Sequence, residues 1–148
     1  NIPEMERIKD EFHSNGGVRS LGVIPGSVEA LNRWRSNDLG SRRRLVMVTA
    51  RPYKQYKQVY GDTVAWLDAT GLIYDHILFE RDKAEAVRMV QPARILGHIE
   101  DRGKHALEIA NCGVQVFKVP FAAPEELISH PLIRHVSGWD EIDLILNG

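Results

Sequence analysis

From Leu45 to Val119 short apolar runs alternate with amphipathic stretches, and this feature most limits what the chain can fold into. Leu45-Val46-Met47-Val48 is apolar throughout and ends at Thr49. A run without polar alternation suits a strand covered on both faces, as in a parallel sheet. A helix from about Tyr56 to Thr70 follows, with Tyr60, Val64 and Leu67 on one side and Gly71 closing it. Ile77-Leu78-Phe79 is the next strand, then come helix Ala84–Val90, strand Ile95–Ile99, helix Lys104–Ala110 ending at Gly113, and strand Val114–Val119. Strands joined by helices require right-handed crossovers, so the expectation is an α/β fold with one doubly wound parallel sheet.

The flanks are less regular. Pro3 to His13 reads as a helix, with Met5, Ile8 and Phe12 at helical spacing, and Gly16-Gly17 breaks it. Val18–Ile24 is a weak strand or an extended arm. Pro25-Gly26-Ser27 is turn chemistry with Ser27 as N-cap, opening a helix whose buried stripe is Val28, Leu31 and Trp34. Residues beyond Ala122 read as short helices, the last near Trp139 to Leu146. With no internal repeat or clear linker, residues 1–148 form one domain, its α/β core at 25–122.

Composition excludes several classes. The chain has 148 residues, enough to bury one core, and 43% hydrophobic with 26% charged residues is ordinary for a globular protein. No apolar run approaches the ~20 residues of a membrane span. Cys112 is the single cysteine, which excludes an intrachain disulfide and a cysteine-based zinc site and suits a reducing, intracellular compartment, cytoplasm or organelle matrix. The first residue, Asn1, reads as a cleaved leader, a trimmed chain or a missing upstream segment. His13, His76, His98, His105, His130 and His135 show no metal-ligand spacing. Net charge is −1, yet Arg33 to Lys57 holds eight basic residues against one acid, Asp38. Arg42-Arg43-Arg44 could touch phosphates of nucleic acid, but no aromatics interleave with the arginines, and a solvated loop is the preferred reading.

In open α/β sheets ligands bind beyond the carboxyl ends of the strands. Those ends are Thr49-Ala50-Arg51-Pro52, Glu80-Arg81-Asp82-Lys83, Glu100-Asp101-Arg102 and Pro120-Phe121. A hydroxyl, a lysine and a carboxylate pair suit a phosphate beside a divalent metal: Thr49 to donate, Lys83 to offset charge, Asp101 to ligate magnesium. Each has a structural alternative, as a strand-ending threonine, a solvated lysine and a helix-capping aspartate. Lys83 in the first turn of a helix opposes the dipole at about 0.3–1 kcal/mol and so invites an anion.

In order, "PGSVEALNRW", "LVMVTARP", "ILFERDKAEAV" and "GHIEDRGKHALEIANCGVQVF" resemble the haloacid dehalogenase-like phosphatases, close to the 5′(3′)-deoxyribonucleotidase type, over Ile24 to Phe117. The resemblance implies a magnesium-dependent phosphomonoesterase acting on a small phosphorylated substrate such as a nucleotide. It implies phosphate binding by Thr49, Ala50, Arg51 and Lys83, with Thr49 and Lys83 catalytic and Asp101 and Glu100 holding the metal. Residues 1–24 then become the remnant of a cap or flap.

The departure from the family lies at its first motif. That motif is Asp-x-Asp on a central strand, the first aspartate attacking phosphorus and the second serving as acid and base. Here no two aspartates are separated by one residue. In the family's order that strand lies between those ending at Thr49 and Ile99, and without it their backbone groups go unpaired. An upstream segment, a strand of another chain or Val18–Ile24 could fill the slot. Three readings follow: an enzyme completed by an upstream strand, a non-catalytic accessory subunit completed by a protein partner, and, more weakly, a nucleic-acid-binding module. The 148 residues alone are expected to be inactive.

Overall fold

The structure, a computed structural model, describes residues 1–37, 43–122, 124 and 126–148; Asp38 and Arg42 of the basic stripe lie outside them. Helix α1 (Ile2–Ser14) starts where the Asn1 side chain accepts from the Glu4 amide at 2.9 Å. None of its residues is buried, and Ile2, Met5 and Ile8 are exposed. Gly16, at φ +77°, then turns the chain into a short 3-10 turn, Gly17–Ser20. Val18–Ile24 is therefore not a strand: Val18 is buried in that turn, and the Trp66 indole holds the Leu21 carbonyl at 2.8 Å. A backbone tied to a helix side chain is not free to enter a sheet.

Helix α2 (Ser27–Ser36) also begins differently from the expectation. Gly26, at φ +87°, occupies the cap, and Ser27 is the first helical residue, its hydroxyl donating to the Ile24 carbonyl at 2.7 Å. Ala30 and Leu31 carry the burial, with Val28 and Trp34 half-buried.

Strand β1 (Val46–Thr49) pairs in parallel with β2 (His76–Phe79), Val46 opposite His76 and Thr49 opposite Phe79. Between them α3 (Gln58–Thr70) buries Val59, Thr63 and Leu67, while Tyr60 is exposed; the inward stripe is rotated by one position. Helix α4 (Lys83–Val90) is capped by Asp82, which accepts from the Glu85 amide. After Gln91 at φ +76° and the 3-10 turn Pro92–Arg94, the strand expected over Ile95–Ile99 forms later, as β3 (His98–Glu100). Helix α5 (Gly103–Ala110) and β4 (Val116–Lys118) follow. Strand β5 (Ile133–His135) lies where short helices were expected, and α6 (Trp139–Asn147) ends the chain. Three residues are too few to show a period; β5 forms because Leu132 and Val136 bond to β4 at 2.8 and 3.0 Å.

The α/β class stands, but the single sheet does not. There are two parallel sheets, β1-β2 and β3-β4-β5, and among the described residues β1 and β3 are not paired. Two hydrophobic clusters pack against the second sheet. Val87, Ala106, Ile109, Val114 and Val116 pack between α4, α5 and the second sheet. Val119, Val136 and Ile142 form a second cluster with Ile99, Phe117 and Trp139 against it. Helix α2 crosses between the halves, held to α6 by Arg33–Asp143 at 2.5 Å and by the Asn147 amide on the Ala30 carbonyl at 3.0 Å. All four residues of β1 are only half-buried, whereas Val116 and Lys118 of β4 are buried. A strand expected to be covered on both faces is thus partly open.

Candidate functional site

The carboxyl ends of the strands hold two groups of polar side chains. At the end of β1 the Thr49 hydroxyl oxygen accepts from the Arg51 amide at 3.2 Å, which closes the turn and leaves the hydroxyl proton for another acceptor. Ala50, in that turn, is exposed. The Arg51 guanidinium donates to the Thr63 hydroxyl at 3.2 Å and lies over the Trp66 ring at 4.8 Å. Burial lowers its pKa, and among the described residues no carboxylate pairs with it, so it is a desolvated cation able to take an anion. Lys83 reaches back from the first turn of α4 and donates to the Val48 carbonyl at 3.3 Å. Beside them Phe79, the cross-strand partner of Thr49, packs against Tyr53 and Tyr60 with centroids 5.0 and 4.9 Å away.

The second group sits at the end of β3. Glu100 is buried; its Oε1 accepts from the amides of Asp101 (3.1 Å) and Arg102 (3.2 Å), and its Oε2 lies 3.3 Å from His98 Nε2. Burial works to raise its pKa, but the bonds from His98, Arg102 and Asp101 outweigh it and bring the carboxyl down to about 2. Asp101 moves the other way, raised by burial and by the neighbouring Glu100. The capping role open to Asp101 is corrected: Arg102 is the N-cap of α5, without a side-chain cap bond, and Glu100 takes the nearby amides.

The strand-end residues expected to share one rim fall into two groups. Thr49, Arg51 and Lys83 come together on the first sheet, Glu100 and Asp101 on the second. Among the described residues no hydrogen bond or ion pair joins the two groups. Nor do the described residues contain three His, Cys, Asp or Glu side chains placed to hold a metal. With Glu100 turned to backbone amides, Asp101 is the carboxylate left for a cation. Magnesium is commonly bound through one or two carboxylates with water and substrate phosphates, so a lone Asp101 fits part of such a site.

Lys118 was missed. It is 1% exposed at the end of β4, in register with Glu100, its ammonium donating to the Val119 carbonyl at 3.1 Å. A lysine inside the apolar run Val114–Val119 was the available signal. The basic stripe is largely engaged within the chain: Arg35 with Asp75 at 2.8 Å, Arg33 with Asp143, and Arg43 over the Trp34 ring at 5.2 Å. Among the described residues no helix is long and apolar enough to cross a membrane. No protein-family model, curated protein or solved structure matches the chain.

Proposed function

We propose that this chain is the larger part of a haloacid dehalogenase-like phosphatase domain, a magnesium-dependent phosphomonoesterase once a strand bearing Asp-x-Asp completes its sheet. One observation carries the reading. The two parallel sheets are not joined between β1 and β3, and a hydroxyl with two cations, Thr49, Arg51 and Lys83, ends the first while a carboxylate pair, Glu100 and Asp101, ends the second. Thr49 would donate its hydroxyl proton to a phosphoryl oxygen, while Arg51 and Lys83 would balance the charge of the other oxygens. Asp101 would hold a magnesium ion, which supplies electrostatic stabilisation of the transferring group. The nucleophile must come from the added strand, since this sequence has no Asp-x-Asp.

The test is hydrolysis of nucleoside monophosphates by the chain with an Asp-x-Asp strand joined ahead of Asn1. Magnesium-dependent turnover, lost in Lys83→Met and in Thr49→Val, supports the enzyme. Turnover no faster than the spontaneous reaction sinks it. That same lack of Asp-x-Asp favours the second reading, a non-catalytic domain completed by a protein partner; fixed copurification of such a partner, without phosphatase activity, identifies it.

A further inference from the structure

We infer that α1 carries two further residues of an oxyanion site, Lys9 and His13, which hold the same anion as Arg51. The share of Arg51 rests on the phosphate reading above; the rest needs neither magnesium nor an added strand.

Helix α1 buries none of its residues, yet its last turns are fastened to the loop after β1 and to the start of α3. The Tyr56 hydroxyl donates to the Asp10 carboxylate, and the Gln58 side-chain amide donates to the Ser14 carbonyl. The His13 ring stacks on the Tyr56 ring with centroids 4.9 Å apart. Tyr56 closes a turn of that loop by donating its amide to the Pro52 carbonyl at 3.1 Å, and Arg51 stands immediately before the turn.

Lys9 and His13 are four residues apart on α1 and so share a face. Burial lowers the His13 pKa, and the charges of Lys9 and Arg51 push it lower still, so both cations lie within electrostatic reach of the ring. Asp10 is the carboxylate that opposes them, and it is already engaged by the Tyr56 hydroxyl. Among the described residues neither Lys9 nor Arg51 forms an ion pair. Two like charges and a polar ring are thus gathered without a counter-charge of their own, and an arriving anion relieves that repulsion.

The ring adds direction. His13 Nδ1 is buried without a partner; Nε2 is not sealed in that way, and among the described residues it makes no hydrogen bond. A proton on Nδ1 would leave a buried N–H unsatisfied, whereas a proton on Nε2 leaves only a lone pair there. His13 is therefore neutral near pH 7, with Nε2–H as its donor. A phenylalanine would keep the stack on Tyr56 without the orphaned nitrogen, so what the imidazole contributes is that N–H. An ammonium, a guanidinium fork and a neutral N–H suit an anion with several oxygens, the phosphoryl group of the reading above.

The probe is sulfate, a tetrahedral dianion that stays ionised near pH 7, added to the chain itself while His13 is followed by nitrogen NMR. The expected free state is a neutral ring protonated at Nε2. Sulfate should shift the Nε2 signal saturably, and Arg51→Met should abolish the shift. His13→Phe and Lys9→Met should each weaken sulfate at least about fivefold, as loss of a charge-assisted bond does. Lys54→Met removes a cation that lies over the Tyr53 ring in the same loop, and should weaken it by less than about twofold, since exposed charges are screened. A ring protonated at Nδ1 overturns the inference. So does equal weakening by Lys9→Met and Lys54→Met, which would make the attraction a general surface charge. Sulfate that depends on Arg51 but leaves Nε2 unmoved, or binds His13→Phe as tightly, overturns it and leaves the phosphate reading intact. No sulfate bound by the folded chain overturns both the inference and the anion role of Arg51. Sulfate held as expected, with no turnover once an Asp-x-Asp strand is joined, supports the site and sinks the phosphatase reading alone.

Discussion

Glu100 and Asp101 are adjacent in sequence, yet their carboxyl groups are driven in opposite directions, Glu100 down to about 2 and Asp101 upward. The buried Glu100 collects the amides of Asp101 and Arg102 and the His98 ring, so its charge serves the start of α5. Asp101 bears the cost of standing beside that fixed charge. One carboxylate is structural and the other remains available, a division invisible in the string Glu-Asp.

Glu100→Gln should destabilise the fold by about 1.5–3 kcal/mol at pH 7, because hydrogen bonds to a charged group are lost. Its depressed pKa means the stabilisation is present above the unfolded value near ~4.3 and is lost as pH falls toward about 2. Asp101→Asn should raise stability at pH 7, since a raised carboxyl pKa marks a charge the folded state disfavours. Urea unfolding at pH 7 and pH 3 measures both. Equal and same-sign effects at pH 7 would show that the two side chains do not differ in role.

Asp75 ties α2 to the start of β1: Arg35 donates to both its oxygens, at 2.8 and 3.1 Å, and the Leu45 amide to one of them at 2.8 Å. The Arg35 bond, chiefly, holds its pKa at about 2 despite opposing burial. Stability from this group is present above the unfolded value near ~3.9 and disappears as pH falls through about 2. Asp75→Asn is expected to cost about 1.5–3 kcal/mol at pH 7 and much less at pH 2. A pH-independent loss, measured by chemical unfolding, would assign the effect to packing instead of charge.

Gly103 opens α5 in close contact with the segment that leads to β5. A Cβ there would meet the Glu126 side chain at 2.7 Å and Ile128 at 3.2 Å. Glu126 cannot simply swing away, because it binds Arg102 at 2.8 Å and the Lys104 amide at 3.2 Å. Gly103→Ala should therefore destabilise by about 1–3 kcal/mol, the usual range for overpacking, and lower the thermal midpoint. An unchanged midpoint would mean that the contact between α5 and Glu126 is looser than its geometry implies.

The elements most legible in the sequence were those with strong local signals. The apolar run Leu45–Val48 with Thr49 at its end became β1, Gly71 closed α3 at φ +79°, and the helix expected from Ala84 formed as α4 one residue earlier, at Lys83. The nearness of Thr49 and Lys83 was legible because the parallel strands β1 and β2 end on the same side of their sheet. Strand β5 was not, because its three residues are made a strand by bonds to β4. Nor was the rotation of α3, where the aromatic cluster with Phe79 holds Tyr60 near the surface while Val59 turns inward.

By itself the sequence determined the α/β class, the chain order of strands and helices from β1 to β4, and the chemical types at the strand ends. Apolar periodicity, glycine punctuation and the chemistry of single side chains are local, so they can be read from neighbours along the chain. Tertiary structure decided that the strands form two sheets, that Glu100 serves backbone amides while Asp101 does not, and that Lys83 holds the Val48 carbonyl. Those outcomes depend on which backbone groups find partners across the fold. Hydrogen-bond satisfaction is a property of the packed chain, and no stretch of sequence expresses it alone.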